Sequence, residues 1–340
     1  MELALIHQAK TLEGPTTLDD LIDQVEAEGP RYEDHVGIPL RGTRVEDDGA
    51  WRFNGSAGRL TRHSLTQLCS RLRLADQATV PASYMARCPS PLAAENLNHW
   101  ISTLPREDVP EVFVRTQDRR ISGHSTVRAV LSRRYAVADH RDLLLTLREM
   151  LPGHGLRIAA WSLDDEQLTL RLMVDCDYPP SMGDPLRVGL HLTNSEIGLG
   201  RISVMGLITR LVCSNGLIVN VAELGAVHRR HVGRAGESLE GVIREGLTRV
   251  LADTHEAARR FVLLREIPAP QPIDQFMERT AKEHGLPELI VGKALYGMRG
   301  GTLYDVVNAF TSAAQQFPVS ERLLVETAMS RFLDLKTAVH

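Results

Sequence analysis

Arg115, Arg128, Arg133, Arg134, Arg201 and Arg210 fall in or beside stretches whose apolar residues run in the manner of strands. An arginine keeps its charge at any working pH and presents a planar fork of donors. One placed on a sheet therefore needs a carboxylate, a phosphate or open solvent. Spaced along strands, such a set can track the phosphates of a nucleic acid, and Tyr135 beside Arg133–Arg134 is placed to stack on a base. His228-Arg229-Arg230-His231 reads as a basic loop that adds Arg229 and Arg230 to that surface. The plainer readings stay open beside this one. A tyrosine at a strand end is also a common core or corner residue, and a solvated arginine need touch nothing.

A second chemistry is metal-assisted catalysis. Asp175, Asp177, Asp184, His191 and Glu196 flank one expected sheet edge and carry the oxygen and nitrogen donors a divalent ion takes. Their spacing matches no ligand motif, and Asp175 and Asp177 around Cys176 equally fit the end of a strand. Gly153-His154-Gly155 and Gly198-Leu199-Gly200 lack the following Lys-Ser/Thr of a phosphate loop. Cys213 has no histidine near it in sequence and reads as a buried thiol. No catalytic residue, metal or cofactor is assigned on this reading, and the chain is expected to need none.

The elements that carry these residues follow from periodicity. Glu111–Arg115 and Arg128–Leu131 read as strands, and Leu156–Trp161 with Leu168–Val174 as a hairpin about Asp164-Asp165-Glu166. Val188–Asn220 reads as strand, loop, strand, turn and strand, with Ser214-Asn215-Gly216 as the turn. A capping box at Thr17–Asp20 opens a short helix within residues 1–50; residues 51–110 read as largely helical, with a second box at Ser64–Gln67, and Asp139 reads as the cap of a later helix. Leu239, Ile243, Leu247, Val250, Thr254, Ala257 and Phe261 form a seam that suits a neighbouring helix in the chain or across a subunit interface. Amphipathic helices continue to the end. The expectation is an α+β fold: a mainly antiparallel sheet core with inserted helices and a helical C-terminal region. Residues 1–50 are expected as a peripheral segment, 51–234 as the α+β core and 235–340 as helices packed upon it.

Composition narrows the partners. The net charge of −4 describes no polycation, yet the charge is segregated. Residues 111–141 hold seven arginines against three acids, and residues 201–234 hold five against one. A local anionic partner fits such a pattern despite the acidic total. No apolar run approaches the roughly 18 residues of a membrane span. Glu2 and the short apolar run after it do not make a secretion signal, and the scattered Cys69, Cys88, Cys176 and Cys213 match no zinc spacing. A reducing cytoplasm is the expected setting.

Several stretches together resemble a family. Arg128-Ala-Val-Leu-Ser-Arg-Arg-Tyr135, Arg210-Leu-Val-Cys-Ser-Asn-Gly216 and Tyr304-Asp-Val-Val-Asn-Ala-Phe-Thr311 look like the phage/plasmid-like proteins built on a widespread domain of unknown function. Leu97-Asn-His-Trp100, after a Ser64-led helix and Pro81–Tyr84, is similar to the same pattern. The likeness runs over roughly residues 60 to 335, and Ser214 departs from it where threonine is expected. The resemblance implies work on DNA, in replication, recombination or defence, and carries over no enzyme activity. A sheet with helices across one face and a basic rim also looks like the phage single-strand annealing proteins, a likeness of architecture alone. The expectation is therefore a homo-oligomer that binds single-stranded DNA through its arginines without catalysis. A metal-dependent nucleic-acid enzyme and an interaction protein assembled through its helices are the alternatives.

Overall fold

The computed structural model describes residues 1, 10–13, 17–28, 32–74, 78–121, 124–164, 166–174, 186–210, 215–219, 227–229 and 239–337. In chain order, β1 (Lys10–Glu13) and α1 (Leu18–Glu28) precede β2 (Tyr32–Pro39), β3 (Arg44–Val45), β4 (Ala50–Phe53) and β5 (Ser56–Leu60). Helices α2 (Arg62–Cys69), α3 (Ala82–Arg87) and α4 (Ser90–Ser102) follow, then β6 (Glu111–Ile121) and β7 (His124–Ser132). Helix α5 (His140–Met150) leads into β8 (Leu156–Leu163), β9 (Leu168–Val174), β10 (Leu186–Asn194), β11 (Ile202–Arg210), β12 (Asn215–Val219) and β13 (Val227–Arg229). The rest is helical: α6 (Leu239–Glu245), a π-helical turn at Gly246–Val250, α7 (Leu251–Leu263) and α8 (Ile273–Glu283). Then come α9 (Glu288–Gly297), α10 (Leu303–Ala314) and α11 (Val319–Thr337).

Among the described residues the strands form two sheets. The seven-stranded one runs β1-β8-β9-β10-β11-β12, with β13 also on β11, and its pairings are antiparallel. The six-stranded one runs β2-β6-β7-β5-β4-β3 and is antiparallel except where β5 lies parallel to β7. This is the expected α+β class with its helical C-terminal region, its strands divided between two sheets. Residues 1–50 supply β1 to the first sheet and β2 and β3 to the second.

Local chemistry explains most of the elements. The β8–β9 hairpin stands as expected, closed by the Asp164 carboxylate, whose Oδ1 accepts the Glu166 and Gln167 amides at 2.8 and 2.7 Å. Thr17 and Asp20 cap α1 reciprocally, also as expected. Residues 51–60 are not helical. Asn54 and Gly55 both take positive φ, 45° and 82°, the two-residue turn whose twist matches paired strands, so the chain folds into the β4–β5 hairpin. The cap of α2 lies three residues earlier than read, a box between Thr61 and Ser64. Of the expected turn at Ser214-Asn215-Gly216, Asn215 and Gly216 belong to β12 and pair with Arg210 and Thr209, and Ser214 lies outside the described residues.

Three apolar clusters fill the layers. The first sheet buries Leu170, Leu190, Leu192 and Val204 against Leu21 and Leu144 of α1 and α5 and Ile243, Leu247 and Val250 of the seam. Ala257 and Phe261 continue the seam into a cluster with Leu186, Val188, Ile208 and the helices α8 to α11. The seam is thus spent inside the chain, where each fully buried aliphatic or aromatic side chain contributes about 1.5–3 kcal/mol. The second sheet packs on α2, α3 and α4 through Leu65, Leu68, Met85 and Leu97. Cys69 and Cys88 are buried free thiols, and burial pushes the Cys69 thiol up to about 12. Cys176 and Cys213 lie outside the described residues. No helix among the described residues is long and apolar enough to cross a membrane.

Candidate functional site at the junction of the sheets

The two sheets meet at one loop. Strand β10 ends at Asn194, and residues Ser195–Gly200 then cross to the second sheet before Arg201 leads into β11. Ile197 is buried among Phe113, Ala129 and Leu131, with Tyr135 packed alongside. Its carbonyl accepts the Gln67 amide of α2 at 2.9 Å, with His63 Nε2 at 3.1 Å, while Gln67 Oε1 accepts the Val130 amide at 2.7 Å. Gly198 takes φ +74°, and a Cβ there would fall 2.4 Å from Leu131 Cδ2, so only glycine lets the loop lie this close to β7. Behind the loop, Asn194 Nδ2 donates to the Ala138 carbonyl at 2.9 Å and to His140 Nδ1 at 3.1 Å, which leaves the ring proton on Nε2.

A buried charge cluster backs this joint. Arg115, 1% exposed, sends Nε and Nη2 to the two carboxylate oxygens of Asp34 at 2.8 and 2.7 Å. Its Nη1 reaches Asp139 Oδ1 at 2.7 Å and the Glu196 carbonyl at 3.2 Å, and its guanidinium lies 4.4 Å from the centre of the Tyr32 ring. Burial opposes the charge on Arg115, but the carboxylates of Asp34 and Asp139 more than offset it and hold its pKa above the ordinary value. Asp139 stands at the cap position of α5 as expected, yet its side chain makes no cap bond. The cap comes from the junction loop: Glu196 Oε1 accepts the His140 amide at 2.6 Å. Burial raises the carboxyl pKa of both Glu196 and Asp139 and depresses His140 to about 3. Burial, then the nearby Glu196, raises Tyr32 well above its usual range. The arrangement ties two sheets and a helix together. Glu196 is 7% exposed and enclosed by partners, so its raised pKa serves the joint rather than a substrate.

The sequence-derived residues divide accordingly. Arg115 and Arg128 do not lie on a rim: they are 1% and 4% exposed, because β6 and β7 are inner strands covered on both faces. Tyr135 is engaged in packing, its ring 5.4 Å from that of Phe113 and its hydroxyl 3.5 Å from the Ser195 carbonyl. Arg133 and Arg134 are exposed on the turn after β7, with Arg133 Nη1 2.7 Å from Glu111 Oε2. Arg201 is exposed where the junction loop enters β11. The stretch expected as a basic loop starts as strand β13, whose register sets the backbone of Arg229 opposite Ile202, next to Arg201. Arg230 lies outside the described residues. Arg210 ends β11 at the far end from Arg201, and its side chain lies outside the described residues.

Of the metal set, only His191 and Glu196 lie among the described residues. His191 and Glu196 belong to different clusters, and Asp175, Asp177 and Asp184 lie outside the described residues. Among the described residues no group of three or more His, Cys, Asp and Glu could hold an ion. His191 is wholly buried beside Arg171, which pairs with the buried Glu326 of α11 at 2.9 Å, and Arg322 completes that ion cluster at 3.0 Å. Sequence reasoning missed Tyr32, Asp34, His63, Gln67, His140 and Asn194. The available signal was Val112-Phe113-Val114, an apolar run without alternation, which marks a strand buried on both faces and demands partners for Arg115.

A family model described as a domain of unknown function (DUF932) matches residues 127–287. The domain-of-unknown-function part of the expected resemblance stands over that span, which takes in β7, the junction loop and Arg201. No curated protein and no solved structure matches the chain.

Proposed function

We propose that the chain binds single-stranded DNA, without catalysis, through the exposed arginines around the junction loop. One observation carries this reading. The Ser195–Gly200 loop is clamped against Leu131 and Tyr135 and runs straight into Arg201, so exposed cations of both sheets flank a single rigid joint. Arg133 and Arg134 come just before Tyr135, which packs on the loop, and Arg201, with the backbone of Arg229 beside it, comes just after the loop. The ion pair of Arg133 with Glu111 is a surface contact worth about 0–1 kcal/mol, which a phosphate can replace. Arg115 and Arg128 support the site from beneath. The sequence resemblance to phage/plasmid-like proteins supports reading this work as replication or recombination in the cytoplasm, in the manner of strand annealing.

If phosphates are the contacts, affinity falls with salt at a log–log slope of about −0.7 for each one neutralised on a single strand. Anisotropy of a labelled oligonucleotide, titrated at low and moderate salt, measures it. Arg133→Ala with Arg134→Ala is expected to flatten the slope by about 1.4, and adding Arg201→Ala by about 0.7 more. Competition with duplex DNA and with RNA reports which nucleic acid is preferred. No binding at low salt, or a slope untouched by the triple variant, rejects the reading.

A further inference from the structure

The outer face of α9 is exposed and largely apolar. Ile290, Val291 and Ala294 of this ten-residue helix point into the core, 0%, 8% and 0% exposed. Opposite them, Leu289 is 65% and Tyr296 96% exposed, the largest exposures among the large apolar side chains of the described residues alongside Val36. They border a groove of about 730 Å³ between α9 and α10, floored by Gly292, Ala309 and Ala313 and edged by Lys293. A Cβ at Gly292 would meet nothing within 4 Å, so its own chain does not need glycine there. A glycine inside a helix costs about 0.5–1 kcal/mol relative to alanine, a cost that close approach of a second backbone would explain.

We infer that this face pairs with α9 of a second copy of the chain, the two helices lying parallel about a two-fold axis. The charges select that occupant and that direction. Leu289, Gly292 and Tyr296 recur at the a, d and a positions of a heptad, with Glu288 at g and Lys293 at e. In a parallel pair each g residue meets the e residue five positions on in the partner, so Glu288 of each copy faces Lys293 of the other. An antiparallel pair matches g with g and e with e, so Glu288 could meet only Glu288 or Leu295 of the other copy and Lys293 only Lys293 or Leu286, and neither charge would find its opposite. Lys293 Nζ already donates to Gln316 at 2.7 Å and keeps two further donors for the incoming carboxylate. A two-fold pair uses the same patch on both copies, as an isologous interface must. Two short helices bury less than the about 1,600 Å² of a standard interface, so the dimer is a concentration-dependent one. This inference is independent of the nucleic-acid reading.

Sedimentation equilibrium of the full chain, without nucleic acid, over a wide range of concentration tests it. The chain is expected to pass from monomer to dimer. Leu289→Ser with Tyr296→Ser should weaken the dimer by at least about tenfold in dissociation constant. Glu288→Lys or Lys293→Glu alone should weaken it too, and the two together should restore it. Circular dichroism and the thermal midpoint confirm that these surface variants remain folded. A chain that stays monomeric throughout, a dimer indifferent to the Leu289 and Tyr296 changes, or a charge swap that fails to restore association overturns the inference.

Discussion

Arg115→Met is expected to destabilise the chain by about 3–5 kcal/mol, a large part of the total stability of an ordinary domain. The lost attraction is only part of this. Asp34 and Asp139 would be left as like charges facing each other, each half-buried, at the edge of a joint that excludes water. The carbonyl of Glu196 and the face of the Tyr32 ring would lose their partner as well. Methionine matches the length of the arginine stem, so packing is largely kept and the measured effect is mainly electrostatic. Urea unfolding gives the number, and Arg133→Ala is the control: as an exposed residue with one surface ion pair it should stay within about 0.5 kcal/mol of the parent. Asp34→Asn combined with Asp139→Asn in the Arg115→Met background should recover part of the loss, since the uncompensated charges are then gone. An Arg115→Met chain as stable as the parent would show that the cluster does not hold the sheets together.

What could be read ahead of the structure depended on the range of the interaction. The β8–β9 hairpin, the α1 cap and the helices after residue 239 rest on contacts within a few residues, and periodicity displays these directly. The β4–β5 hairpin was equally local, with Asn54-Gly55 as its signal, but the helix-forming stretch after it masked a ten-residue element. The buried cluster was of another kind. Arg115 is bonded to carboxylates 81 and 24 residues away, and α5 is capped by Glu196, 56 residues beyond His140. No spacing rule reaches so far. An arginine beside Val112-Phe113-Val114 reads as a rim residue only if the sheet has an open face, and the junction loop from the other sheet closes that face. Charge counting found both basic segments, and only the fold could tell which arginines meet solvent and which brace the joint.

The chain is also expected to lose stability steeply as the pH falls from about 6.5 toward about 3. His140 and His191 are both buried, and burial holds each down to about 3, against 6.5 when exposed. Within that window the unfolded chain binds protons that the folded chain refuses, so stability is complete above the unfolded value and drains away toward the folded one. At about 1.4 kcal/mol per pK unit, each histidine accounts for up to about 5 kcal/mol. Glu196 and Asp139 work in the opposite sense, because burial raises their pKa values and the folded chain takes up protons there before the unfolded one does. Their proton uptake offsets part of the histidine loss, so the net fall is smaller than the two rings alone would give. His191 is the cleaner test. Neither ring nitrogen has a hydrogen-bond partner among the described residues, and Arg171 and Arg322 add repulsion to the desolvation of its charged form. His191→Leu keeps the volume nearly constant and removes two unsatisfied polar atoms, so it should raise stability at neutral pH by about 1–3 kcal/mol. It should also remove about half of the acid loss. Urea unfolding of parent and variant at a series of pH values measures both. A parent whose stability is flat down to pH 5, or a His191→Leu chain as acid-sensitive as the parent, would place the acid response elsewhere than in these two rings.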